Sequence, residues 1–410
     1  MTSPRNISRG ELSFAVGLYA LQGVVVAYLL NYNKSYMIAG GIEERLAGRV
    51  ETAVLLTLVL KFLLGPLSDR FSPFNLGHRI PFILLGLVVQ SIGLVGLACL
   101  PPGSNLIGFT IMAYLAVIGL SLYDTCCDGF VVDITPPEDR SRVQGALQVS
   151  RFLATMLCTW GFGKWMGQTG IGPGHSEGVL YTCALLAVPL LLLGLFIKER
   201  ETHTSPEEQF RWAALKELGK PHALVLLAFG ALYAMIGLGV EFNLSRYYVH
   251  LGGSQDDVGT YSAIRYGGRA LGAILLPILR SRLGRRGQLV VGLLALSATT
   301  AGQGLVGSSL STGAWAFVFG MANGWNDALF CVMAMEAADP RMAASTFAIF
   351  MAVSNLSVLG DALFLEAVHL LNGNYQRVLW ISSLLLLALL TLVPALTRTS
   401  SPRLATAHDS

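Results

Sequence analysis

The sequence predicts an all-α polytopic membrane protein of twelve transmembrane helices in two six-helix halves. Three observations carry this. First, of 410 residues only 13% are charged and 53% are hydrophobic, with a mean hydropathy of +0.59, whereas a soluble domain carries roughly 25% charged residues. Second, the apolar residues gather in uncharged runs such as 105–123 and 179–197. Crossing the hydrocarbon core takes ~20 largely apolar residues. The runs do not alternate polar and apolar with period two, which excludes an outer-membrane barrel. Third, the longest polar connection falls midway along the chain.

Taken in order, the expected spans are 12–33, 47–65, 80–100, 105–132, 143–166 and 178–197, then 222–243, 257–279, 288–306, 312–335, 342–366 and 376–396. The connection at 198–221, rich in Glu, Arg, Lys and Ser, separates the two groups as a cytoplasmic linker. The halves are therefore 1–197 and 222–396, and the polar tail 397–410 is expected to be disordered. The termini and the loops after even-numbered spans carry eighteen Lys and Arg residues against six on the other side. By the positive-inside rule both termini face the cytoplasm, in what is read as a bacterial inner membrane. The net charge of +3 contains no basic block, so no nucleic-acid partner is expected. The N-terminus lacks the pattern of a cleaved signal peptide. All six cysteines lie in apolar runs, without disulfide or zinc spacing, and read as small buried side chains.

A weak internal repeat accompanies the six-plus-six count. Asp124 and Asp133 in span four are nine apart, as are Asp327 and Glu336 in span ten, at an offset of 203. Duplicated halves around a central site are the usual build of a secondary transporter.

The segment Gly65-Pro66-Leu67-Ser68-Asp69-Arg70, followed by Gly77-His78-Arg79, resembles the cytoplasmic loop signature of the major facilitator superfamily. The spacing before Gly77 is similar to that of the muropeptide-permease and acetyl-CoA-transporter branch. So are Asp124-Thr125-Cys126-Cys127-Asp128, Pro136-Pro137-Glu138-Asp139-Arg140 and Tyr19-Ala20-Leu21-Gln22-Gly23. The resemblance covers roughly the first 160 residues, and His78 stands where the family usually has arginine. It implies the major facilitator fold and a polar, anionic organic substrate. It also implies that Asp69, Arg70 and Arg79 form a gating latch, an aspartate against a helix N-terminus with arginines reaching acids of the other half.

Charges inside spans carry the functional expectation, because each costs ~2.5–3.5 kcal/mol in hydrocarbon and needs a partner or water. Asp124 and Asp128 lie one turn apart on one face, and two such acids favour keeping one protonated. With Asp327 as the counterpart in the second half, they are the expected proton-coupling groups, Arg151 being a possible permanent partner for Asp128. Arg265 and Arg269 suit a bidentate carboxylate or phosphate, with Glu241, Asp327 or Asp361 as alternative partners. Gln22, Tyr123, Trp325 and Asn326 are candidates to shape the substrate cavity. Gly267, Gly268, Gly320 and Gly324 read as helix-packing positions.

No phosphate loop, His-Glu-x-x-His or Gly-x-Ser-x-Gly motif occurs, so neither ATP-driven pumping nor an enzyme is expected. No metal site or cofactor is expected either. The reading is a monomeric secondary transporter in the lipid bilayer, moving a small-molecule substrate by alternating access with protons. The alternatives are an efflux carrier for lipophilic compounds and a non-transporting assembly factor on the same fold.

Overall fold

The computed structural model describes residues 7–71, 77–136, 138–169, 176–197, 216, 218–252, 255–306, 309–338 and 343–398. Most of the expected linker 198–221, and the expected tail beyond Arg398, lie outside them. The described residues form twelve membrane-length helical segments. Those of the first half are α1 (Arg9–Ala39), α2 (44–70), α3 (Ile80–Cys99), α4 (Leu106–Ile134), α5 (Arg140–Thr169) and α6 (Ser176–Gly194). Those of the second are α7 (Pro221–Tyr248), α8 (255–283), α9 (285–303), α10 (Ser309–Ala337), α11 (Ser345–Leu370) and α12 (Tyr375–Thr397). An even number of crossings puts both ends of the chain on one face, called here the terminal face.

Local chemistry sets the helix starts. Ser8 and Glu11 form a reciprocal capping box on α1, with bonds of 3.1 and 3.0 Å, satisfying two donors the first turn would leave open. Asn105 caps α4 through Gly108 N–H at 2.8 Å, and Asn374 caps α12 through Arg377 N–H at 3.0 Å. Pro221 opens α7, where its missing N–H costs nothing.

Seven of the helices are long and apolar enough to cross a membrane on their own terms. The others dilute their hydropathy with polar groups turned inward. α2 is interrupted by a 3-10 turn at Val59–Leu63 that carries Lys61. α8 and α10 hold buried charges, and α5 carries the partly buried Arg151. Between α8 and α9 the sequence reading left a loop. Instead the helix runs on, broken at Gly284, whose φ of 59° is a left-handed conformation that suits glycine. Ile107, Leu185, Phe196 and Leu384 are 65–82% exposed on the outside of the bundle, an apolar surface for lipid. Cys99 is exposed with them, unlike buried Cys126, Cys127, Cys183 and Cys331, and all six cysteines are free.

α8 and α10 meet backbone to backbone. A Cβ added at Gly268 would come within 2.1 Å of Phe317 O. One at Gly320 would come within 2.0 Å of Arg265 O, and one at Gly324 within 2.1 Å of Arg269 O. Gly267 is looser, with only Met156 Sδ at 3.1 Å. The small residues therefore set how closely the two arginines lie against α10. Gly324→Val is expected to destabilise the protein by ~1–3 kcal/mol and to lower its melting temperature in detergent. Gly161→Ala, at a site with nothing within 4 Å, should leave it unchanged.

Candidate functional site

Two clusters of buried charge occupy the middle of the bundle, one per half. In the first half, the 3-10 turn of α2 brings Lys61 to α4. Its Nζ lies 2.8 Å from Asp124 Oδ2 and 3.5 Å from Asp128 Oδ2. α1 completes the group: Tyr19 donates its hydroxyl to Asp128 at 2.6 Å, and Gln22 donates Nε2 to Asp124 at 2.9 Å. The Asp128 side chain is 2% exposed and that of Asp124 11%.

In the second half, Arg269 on α8 clamps Glu241 of α7 at 2.7 and 2.8 Å, and reaches Asp327 of α10 at 2.9 Å. Asn323 donates to Glu241 at 2.5 Å, and Tyr233 donates to Asn323 at 2.8 Å. Arg265 stands 3.4 Å from Glu241. Its Nε makes that ionic contact, whereas its Nη1 has no hydrogen-bond partner although the residue is 3% exposed. An unsatisfied buried donor is costly, so Nη1 is primed for an acceptor.

Among the described residues, one ion pair joins the halves. Arg151 of α5 donates Nη2 to Asp327 at 2.7 Å, so Asp327 is held by an arginine from each half. Arg151 therefore does not neutralise Asp128; Lys61 and Tyr19 occupy that carboxylate. Below the pair, α5 presents Gln144 and Gln148 at successive turns to Met335 and Cys331 of α10, at 3.6 and 3.1 Å. Asn355 of α11 bonds the Leu58 carbonyl, freed where α2 breaks, at 2.8 Å. These contacts seal the terminal side.

Above them a cavity of about 1330 Å³ opens toward the opposite face. Asn31, Tyr32 and Lys34 of α1, Glu51 of α2 and Lys164 of α5 line it from the first half. Glu241, Arg246, Arg265 and Asp361 line it from the second. Arg246 and Asp361 pair at 3.0 Å near the mouth.

The expected site residues divide on this geometry. Gln22, Asp124 and Asp128 form one cluster, and Arg265, Arg269 and Asp327 belong to the other. Of these, Arg265 lines the cavity, whereas Arg269 lies behind it with its forward donors spent on acids. Trp325 and Asn326 do not line the cavity: Trp325 Nε1 bonds Gln288 O at 3.0 Å and Asn326 bonds Gly292 O at 2.8 Å, so they hold α9 against α10. Tyr123 is buried among α3 and α4, its hydroxyl without a partner.

Arg79 is 1% exposed and bonds Asp133 at 3.0 Å and Ser68 at 2.9 Å. Both of these partners are in its own half. The side chains of Asp69 and Arg70 lie outside the described residues. The pair has a counterpart in Arg285–Glu336 at 2.6 Å. Lys61–Asp124 is likewise matched by Arg269–Asp327. The repeat is thus one of ion pairs, with acids from α4 and α10 and bases from the corresponding neighbours.

The sequence reading missed Glu51 as an interior acid. Gly48, Glu51, Thr52 and Leu55 line the cavity at helical spacing, which was the available signal. Gln144 and Gln148, in step with Arg151, gave a similar one.

Comparison with known proteins agrees with this architecture. The family model described as Major Facilitator Superfamily matches residues 12–360. The chain belongs to the major facilitator superfamily. Anhydromuropeptide permease of Escherichia coli K12 is 26% identical over 309 residues, covering 72% of this chain and 62% of the relative. The chain thus spans somewhat under two thirds of that relative's length. Among solved structures, the human organic anion transporter MFSD10 superposes with a TM-score of 0.73 at 17% identity. The transporter FucP in its outward conformation gives 0.71 at 12%. Each covers 94% of this chain, which covers 99% of each. The apolar helices and the family together make it an integral membrane protein of this superfamily.

Removing one member of a buried ion pair costs roughly 3–5 kcal/mol. Lys61→Met is therefore expected to lower the melting temperature markedly. Lys61→Met combined with Asp128→Asn should recover part of the loss. A double-mutant cycle on the purified protein measures the coupling.

Proposed function

We propose that this chain is a proton-coupled secondary transporter for a small polar organic anion, working by alternating access. The observation that carries the reading is the cavity's floor. It is open on one side, has the Arg151–Asp327 pair beyond it on the other, and is lined by Arg265, whose Nη1 has no hydrogen-bond partner. An arginine so placed suits a carboxylate or phosphate. Arg269 and Glu241 hold α7, α8 and α10 around it.

The Lys61–Asp124–Asp128 cluster is the coupling site. One lysine faces two carboxylates, so one acid has no cation of its own and accepts a proton at modest cost. Asp124 is the more exposed of the two acids and takes the proton first. Rocking of the halves breaks Arg151–Asp327 and exchanges which face is sealed.

The positive-inside count supports a cytoplasmic terminal face, so the cavity faces away from the cytoplasm. A bacterial inner membrane accords with the Escherichia coli relative, and a complete site within one chain supports a monomer. That relative's name specifies a muropeptide. Such solutes are polar and carry carboxylates, in keeping with Arg265, and a cavity of about 1330 Å³ exceeds the ~300–1,000 Å³ of ordinary ligand pockets.

The test is uptake of anhydromuropeptide into proteoliposomes under an inward proton gradient. Asp124→Asn should abolish gradient-driven accumulation. Arg265→Gln should raise KM at least tenfold with a smaller effect on maximal rate. Unchanged accumulation in Asp124→Asn would remove the coupling role.

A further inference from the structure

The charges at the centre of the bundle balance in a way that sets the coupling ratio. Eight ionisable side chains lie there in two groups. In the first, Lys61 faces Asp124 and Asp128, leaving one negative charge in excess when all are ionised. In the second, Arg151, Arg265 and Arg269 face Glu241 and Asp327, leaving one positive charge in excess. The mouth pair Arg246–Asp361 balances itself and is 24–34% exposed, and Glu51 on the cavity wall faces Lys34 and this pair, outside the central count.

The two excesses cancel, so the empty carrier has a neutral core. A monoanion seated on Arg265 makes the core −1. A proton on the Asp124–Asp128 pair alone makes it +1. Both together restore neutrality. Arg265 is where the anion goes, since it lines the cavity and its buried Nη1 has no hydrogen-bond partner. The proton goes to a carboxylate oxygen of the aspartate pair. Among the described residues, the other charged and titratable groups facing that pair are Lys61 from α2, Tyr19 from α1, Tyr123 and Cys127 from α4, and Cys331 from α10.

A net charge confined at mid-bilayer lowers the population of a conformer by ~10²-fold. The closed state between the two open ones has no water-filled cavity to screen it. Only the empty and the doubly loaded carrier pass through that state without the penalty. We infer that the carrier moves a monoanion together with one proton, without net charge transfer, and that neither crosses alone. This rests on the anion–proton reading above and adds the stoichiometry. The proton taken up at the cavity is released at the terminal face with the solute, so charge and atoms balance over the cycle.

The experiment uses the full chain in proteoliposomes with radiolabelled N-acetylmuramic acid, a sugar monocarboxylate, as the probe. A pH gradient, acid outside, is imposed while valinomycin and potassium set the membrane potential at zero or 100 mV of either sign. The expected result is accumulation that follows the pH gradient and changes less than twofold with potential. Transfer of one net charge would change the accumulation ratio ~50-fold per 100 mV. Gradient-driven uptake with that potential dependence overturns the one-to-one ratio and leaves proton coupling standing. No gradient-driven uptake of the probe overturns both. In Asp128→Asn the empty core is +1 and the monoanion alone neutralises it, so the loaded carrier crosses without a proton while the empty one is held back. Exchange of labelled for unlabelled probe should proceed without a pH gradient, and net uptake should be lost. Uptake by the variant that still tracks the pH gradient contradicts the charge count. The wild-type measurement decides the ratio whether or not the variant folds.

Discussion

A charge in the middle of a bilayer must meet an opposite charge, and the interior of this bundle is arranged around that requirement. Asp327 is the point where it bears hardest. Its carboxylate accepts from Arg269 in its own half and from Arg151 in the other, so one acid both completes a half and joins the two. Everything above it on the cavity side is open. Below it, Gln148, Gln144 and the Leu58–Asn355 bond close the terminal side. Removing the acid would leave two buried arginines facing each other, which explains why the floor sits at this level.

The backbone is shaped to serve that arrangement. The interruption of α2 turns Lys61 inward and frees the Leu58 carbonyl for the other half. The glycine contacts between α8 and α10 bring the arginines of one helix within reach of the acid on the next. A π-helical turn at Ala234–Leu238, a feature frequent at functional sites, lies directly before Glu241. Gly360 of α11 packs where a Cβ would meet Met235 O at 2.0 Å.

Much of this was legible in the sequence because hydrocarbon makes polar residues conspicuous. The twelve spans, the two halves, the Asp124–Asp128 pair and the Arg265–Arg269 pair stand out against apolar runs. The nine-residue spacing of acids in α4 and α10 anticipated a repeat that the structure expresses as matched ion pairs. What stayed hidden was direction around each helix. Trp325 and Asn326 share a helix with Asp327, yet face α9 because adjacent positions on a helix point ~100° apart. Partner choice was hidden as well, since Arg151 could reach Asp128 or Asp327 until the relative placement of α5 and α10 was known. Arg79 resembles part of a gating latch, and its bond to Asp133, invisible in the sequence, ties α3 to α4 in its own half. Glu51 lies within the expected span 47–65 and was not counted among the interior acids, because that span was judged by its apolar content and not by its polar face.

The central claim is that the cavity is one of two alternative states held apart by the shared carboxylate. Spin labels at Thr52 of α2 and Ala362 of α11, which line the cavity from opposite halves, report its width by double electron–electron resonance. The account predicts a predominantly long distance in the wild-type protein and a shift of population to a distinctly shorter one in Asp327→Asn, where the cross-half pair is lost. A single distance, identical in the two proteins, would contradict it.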